Sequence, residues 1–196
     1  IERTRQAEPG YPTSLILTPM RELAEQIFQV LSPLSEEMGL RTFPMYGGVS
    51  YKKQFRAIDD GVDILVACPG RLIDMLERGA LSVEDVDIVV LDEADRMADM
   101  GFMEPVCKIL DQCNETKQTI LFSATLDDDV ARLVEDYQTN PVRIEVGPKE
   151  VSMDSMQHFF WLMPNSKKSV ISSEIIRKCG RTIVFCRTRA GADRVG

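Results

Sequence analysis

The stretch that decides the fold is "DIVVLDEADRM", residues Asp87 to Met97. Four aliphatic side chains, Ile88 to Leu91, run without alternation straight into Asp92 and Glu93, with Asp95 close behind. An apolar run with no polar face reads as a strand covered on both sides, the usual condition of a parallel sheet between helices. Charges at the end of such a strand need a reason. Either Asp92 caps the following helix while its neighbours are solvated, or the carboxylates serve a cation and a reaction.

The second reading is chemically specific. Mg²⁺ keeps most of its waters and is completed by one or two carboxylates and substrate phosphates. A strand end holds the first carboxylate rigidly, and the adjacent Glu can orient or deprotonate a water aimed at a γ-phosphate. This is the Walker B arrangement of nucleotide-hydrolysing proteins. Three carboxylates in the four residues behind "IVVL" favour it over a simple cap.

Outward from this stretch, short apolar runs of the same kind recur at "SLILT" (14–18), "DILVA" (63–67), "TILF" (119–122) and "TIVF" (182–185). Weaker strand candidates lie at 41–46, 142–146 and 157–162. Segments of helical period fall between them, at 21–38, 51–59, 70–78, 103–113, 127–138, 166–179 and 189–196. In the first of these, Leu23, Ile27, Val30, Leu31 and Leu34 form an apolar stripe that Pro33 is expected to kink or interrupt. Such alternation predicts an α/β fold, a parallel sheet with helices on both faces.

The residues at the end of each run carry the most information. "SLILT" leads into Pro19-Met20-Arg21-Glu22, "DILVA" into Cys68-Pro69-Gly70-Arg71, and "TILF" into Ser123-Ala124-Thr125. In a parallel sheet these ends meet Asp92 and Glu93 along one edge, the carboxyl edge where open α/β sheets bind ligands. Pro69 and Gly70 open a helix with Arg71 beside its free N–H groups, a phosphate-binding arrangement. Arg21 likewise starts a helix, and Gly47-Gly48 permits close approach of another backbone. Ordinary helix starts and a turn glycine pair would look the same. If ligands bind there, they are read through phosphate and sugar, without sequence preference. The hydroxyls of Ser123 and Thr125 can bond Asp95, or simply form a turn. Asp127 to Asp129 suit the positive start of a helix.

Composition narrows the class. The 196 residues suffice for one large domain and part of another, and 44% hydrophobic with 28% charged residues is ordinary for a globular chain. No segment approaches the roughly 20 apolar residues of a membrane span, and "IERTRQAEPG" is not a signal peptide. The five cysteines show no metal-binding spacing and read as reduced thiols of a cytosolic protein. His158 has no metal-type neighbours and reads as structural, Trp161 as a core residue of a second unit. The net charge of −8 excludes a generally basic nucleic-acid binder. It is uneven: residues 1–147 carry 14 Lys and Arg against 27 Asp and Glu, whereas residues 148–196 carry 9 against 4. A boundary is expected at "GPKEVSMDSM", dividing the chain into 1–147, a linker at 148–156, and the beginning of a second α/β unit at 157–196.

The ordered set "PMRELA", "GG", "CPGR", "DEAD", "SAT" and "IVFCRT" closely resembles the DEAD-box ATP-dependent RNA helicases, and "DEADRMADMGF" is especially similar. The resemblance covers essentially the whole chain. It implies two RecA-like domains that clamp ATP and RNA between them, in a cytoplasmic protein (or a nuclear one in a eukaryote) acting as a monomer. By matching positions, Asp92 would hold Mg²⁺ through water and Glu93 would position the attacking water. Asp95, Ser123 and Thr125 would couple hydrolysis to strand separation. Pro19, Arg21, Gly48, Pro69, Gly70 and Arg71 would hold one RNA backbone in a bent form, and Thr188 would add a contact from the second domain. Met20 and Cys68 stand where the family usually has Thr, which removes two hydroxyls from the RNA path. No G-x-x-x-x-G-K-[ST] phosphate loop occurs in these residues. The resemblance therefore implies a fragment, lacking a central sheet element and inactive by itself, or else a module that binds RNA or protein without hydrolysis.

Overall fold

The computed structural model describes residues 1–146 and 157–195. The chain divides into two units, Ile1–Arg143 and Ile144–Gly196.

The first unit is built on five strands, β1 (Ser14–Leu17), β2 (Thr42–Met45), β3 (Ile64–Ala67), β4 (Ile88–Leu91) and β5 (Gln118–Leu121). All pair in parallel, in the order β2-β3-β1-β4-β5. The apolar runs fixed this outcome. Every residue of β3 is buried, as a strand covered on both faces must be. The pairing is continuous across the five strands.

The intervening helices are α1 (Arg21–Glu37), α2 (Tyr51–Asp60), α3 (Pro69–Glu77), α4 (Ala94–Asp99), α5 (Met103–Leu110) and α6 (Asp128–Tyr137). Parallel connections are right-handed. The step from β1 out to β2 therefore carries α1 to one face, and the steps back across the sheet carry α2, α3 and α5 to the other. Packing agrees, with α1 against β2 and β3, and α3 against α5. Leu15, Leu17, Leu65, Val89 and Leu91 form the centre of the core, with Leu72, Met75, Ile109 and Leu110 closing it from the helices.

Pro33 lies inside α1, which runs on through it. The lost N–H costs one hydrogen bond; of the expected stripe Val30 and Leu34 are exposed, and Ala24 and Ser35 are the buried residues of the helix. Asp127 is the N-cap of α6, its carboxylate accepting from Val130 N at 3.0 Å, as the acidic trio suggested. Asp127→Ala is expected to cost about 1 kcal/mol in a urea titration followed by far-UV circular dichroism.

The second unit contains a short 3₁₀ turn (Asn165–Lys167), α7 (Lys168–Cys179) and α8 (Arg189–Val195). The strands expected at 142–146, 157–162 and 182–185 do not form. An extended segment becomes a strand only when a neighbour takes its backbone hydrogen bonds, and no such neighbour exists among the described residues. Val146, Phe160, Leu162, Ile183 and Phe185 are exposed, and so is Trp161, which is not a core residue here. The expected linker 148–156 lies outside the described residues.

Candidate functional site

The register aligns the strand ends. Leu17 is level with Ala67 and Leu91, Ala67 with Met45, and Leu91 with Leu121. The next residues are locked to the same edge by Thr18 N, Cys68 N, Asp92 N and Phe122 N, each donating to the last carbonyl of a neighbouring strand at 2.8–3.0 Å. The β1 connection leaves toward the opposite face from those of β3 and β4. Crevices therefore open on both sides of β1 at its carboxyl end.

On the β4 side stand Asp92 and Glu93. Asp92 Oδ1 accepts from Glu93 N at 3.0 Å, which turns the backbone sharply where the strand ends. Glu93 has φ 52° and ψ 53°, left-handed values that cost a non-glycine residue about 1–2 kcal/mol. Its Oε2 is buried and finds no donor among the described residues, an arrangement uncommon for a buried polar atom. Asp92 is not spent as the N-cap of α4; Glu93 occupies that position, without a side-chain cap bond.

The "SAT" loop closes on α4. Asp95 N donates to Ser123 Oγ at 3.1 Å, Thr125 Oγ1 lies 3.5 Å from Asp95 Oδ2, and Ala94 N donates to Phe122 O. The sequence left these hydroxyls open between a turn and a partner for Asp95. They bond Asp95 by two routes.

On the β3 side, Pro69 is the first residue of α3 and Gly70 the second, with open space where a Cβ would sit. Gly48 has φ +83°, and a Cβ there would stand 3.9 Å from Arg21 Nη1. Arg21 Nε donates to Glu22 at 2.8 Å. Behind these, Tyr46 donates to Glu25 at 2.7 Å, a bond that raises the phenol above its ordinary range and keeps it a donor. Thr18 Oγ1 donates to Met20 O at 3.2 Å and lies 3.9 Å from Cys68 Sγ. Burial pushes the Cys68 thiol up, so it stays neutral.

Arg71 is the most constrained cation of this edge. Its Nη1 donates to Gln54 Oε1 at 3.1 Å and toward Val49 O at 3.4 Å, and its Cζ sits 4.1 Å above the Tyr51 ring. Only 9% of the side chain reaches solvent. Thr188 belongs to the second unit, where its hydroxyl accepts from Gly191 N at the start of α8.

Comparison with known proteins decides the family. Residues 1–133 match the family model described as DEAD/DEAH box helicase. The chain belongs to that family. It is 38% identical over 183 residues to the DEAD-box ATP-dependent RNA helicase CshA of Bacillus cereus, covering 92% of this chain and 35% of that protein. It is 37% identical to the ATP-dependent RNA helicase RhlB of Pseudomonas putida, covering 95% of this chain and 48% of the relative. The chain thus spans between a third and a half of these relatives. Among solved structures, a DEAD box protein from the hyperthermophile Methanococcus jannaschii superposes with a TM-score of 0.69 at 29% identity, covering 99% of this chain and 52% of the other. The yeast DEAD-box splicing factor Prp28 gives a TM-score of 0.66 at 32% identity, over 75% of this chain and 37% of the other. The five-stranded parallel sheet is the RecA-like sheet of the DEAD-box domain.

Within this DEAD-box chain, sequence reasoning missed Tyr51 and Gln54. Both lie in α2, and nothing local in "YKKQFR" marks them. Their contacts with Arg71 come from the pairing of β2 with β3, which brings α2 beside the start of α3.

Proposed function

We propose that these residues are the RNA-dependent ATP-hydrolysing centre of an RNA helicase, which unwinds duplexes or remodels RNA–protein assemblies. The observation that carries the reading is the common level of the strand ends. On one side of β1 stands Glu93, with one oxygen buried and unpartnered among the described residues, and on the other a set of glycines and arginines.

In this reading Asp92 holds Mg²⁺ through water. A lone strand-end carboxylate is the donor set that this cation accepts. When bound, Mg²⁺ neutralises charge on the phosphate oxygens of ATP. Glu93, fixed by its left-handed backbone, orients the attacking water and takes its proton. Asp95, Ser123 and Thr125 transmit the state of that centre, because their bonds join α4 directly to the end of β5. Pro19, Arg21, Gly48, Pro69, Gly70 and Arg71 hold one RNA strand by its backbone, and Thr188 adds a contact from the second unit. Recognition of this kind is independent of sequence.

A second reading concerns the 196 residues by themselves. They hold no G-x-x-x-x-G-K-[ST] loop, and without such a loop ATP lacks most of its positioning. The chain alone is then a module that binds RNA or protein and turns nothing over. The test compares RNA-stimulated ATP hydrolysis by this chain with that of a protein joining these residues to a phosphate loop and complete second domain. Activity confined to the longer protein, and dependent on RNA, is the expected result. An inactive longer protein, or one indifferent to RNA, overturns the first reading. Turnover by the short chain overturns the second.

A further inference from the structure

We propose that Tyr51 is a positioning residue for RNA binding, presetting the Arg71 guanidinium on the β3 side of the candidate site. The proposal rests on the RNA-binding reading above and adds to it a residue outside every motif that the sequence singled out.

Tyr51 is the first residue of α2, three positions after Gly48. Two cations lie over its ring, with Arg71 Cζ 4.1 Å and Arg78 Cζ 4.8 Å from the centroid. Its hydroxyl donates to Asp74 Oδ2 at 2.6 Å. Asp74 in turn accepts from Arg78 Nε at 2.8 Å and lies 3.9 Å from Arg71 Nε. Phe55, one turn on, stacks on Tyr51 at 6.2 Å and fixes the ring. The Tyr51 hydroxyl first, and Arg78 after it, hold the Asp74 carboxyl below its ordinary range. The carboxylate is therefore charged throughout the physiological pH range.

These contacts leave Arg71 one pose. Gln54 and Val49 take one nitrogen, Asp74 faces another, and the ring covers the guanidinium plane. An arginine free in solvent loses rotamer freedom when it grips a phosphate, whereas one already fixed does not. Cation–π contact also orients a guanidinium without neutralising it. Asp74 alone could not do this, since a carboxylate pairs with whichever cation reaches it. Tyr51 adds a partner of another kind, a ring 4.1 Å from Arg71 Cζ and a hydroxyl that donates to Asp74.

The alternative is a brace between α2 and α3 with no bearing on RNA. The two are separated by binding of a fluorescein-labelled single-stranded oligouridylate to the full 196-residue chain, by anisotropy across a KCl series. Tyr51→Leu is expected to weaken binding about threefold to tenfold. It should also lower the slope of log K against log salt by about 0.7, the value of one lost phosphate on a single strand. Tyr51→Phe keeps the ring face and should retain most of the affinity. The double variant Tyr51→Leu/Arg71→Ala should bind no more weakly than Arg71→Ala alone, because both remove the same contact. Should Tyr51→Leu lose its fold by circular dichroism, Tyr51→Met is read in its place. Additive losses, an unchanged salt slope, or equal loss in the Phe and Leu variants overturn the positioning role while leaving the RNA reading intact. If the unaltered chain does not bind the oligonucleotide, or Arg71→Ala binds as well as it does, the RNA reading of this edge fails and the positioning role with it.

Discussion

Glu93→Gln, in a protein that joins these residues to a phosphate-binding loop, is expected to slow RNA-stimulated ATP hydrolysis by about 10²–10⁴-fold, the usual contribution of a positioned general base. The substitution keeps the size and planarity of the side chain, and nothing around it asks for repacking, since Oε2 touches no donor. What it removes is the capacity to accept a proton from water. Nucleotide affinity should change little, because Asp92 and not Glu93 stands at the strand end itself. Phosphate release under single-turnover conditions, with bound nucleotide measured separately, distinguishes the two effects. An unchanged rate would remove Glu93 from the chemistry.

Asp63→Ala carries the largest expected effect on stability. The Asp63 side chain is 2% exposed. Its two oxygens accept separately, Oδ1 from Ala7 N and Oδ2 from Arg41 N, each at 2.6 Å, and its carbonyl accepts from Thr13 N and Ser14 N. One residue thereby ties the N-terminal segment, the entry to β2 and the starts of β1 and β3. Alanine keeps the carbonyl but strands two backbone donors, a loss of about 2–6 kcal/mol at roughly 1–3 kcal/mol for each. That is a large part of the roughly 5–15 kcal/mol typical of a domain. Urea unfolding midpoints would measure it. A shift below about 1 kcal/mol, with an unchanged m-value, would mean that water replaces the carboxylate without penalty.

The sheet was legible because its signal is redundant. Four apolar runs of the first unit became strands within a residue of their expected limits, and every helix between them except the short α4 spoke through its own periodicity. Convergence at the carboxyl edge came from parallel pairing alone. The motif ends could likewise be assigned to one edge, since the register fixes where each run stops. What sequence could not convey were contacts made across that edge. Tyr51 reaches Arg71 only because β2 and β3 are neighbours, and no local pattern encodes which strands adjoin. Asp63 read as the first residue of a run, not as a clamp, because its donors come from residues 7 and 41. In the second unit the failure was of another kind. "TIVF" and "QHFFWLMP" have the composition of strands, but composition does not supply the partner that a strand requires.

If Glu93 positions the attacking water as proposed, its left-handed backbone sets stability and chemistry against each other at a single position. Glycine there would relieve the conformational penalty at no steric cost, so a laboratory screen rewarding heat resistance alone should enrich Glu93→Gly. A screen that also demanded turnover should reject it. The residue marks where the fold tolerates a less comfortable chain in exchange for a carboxylate held in one orientation.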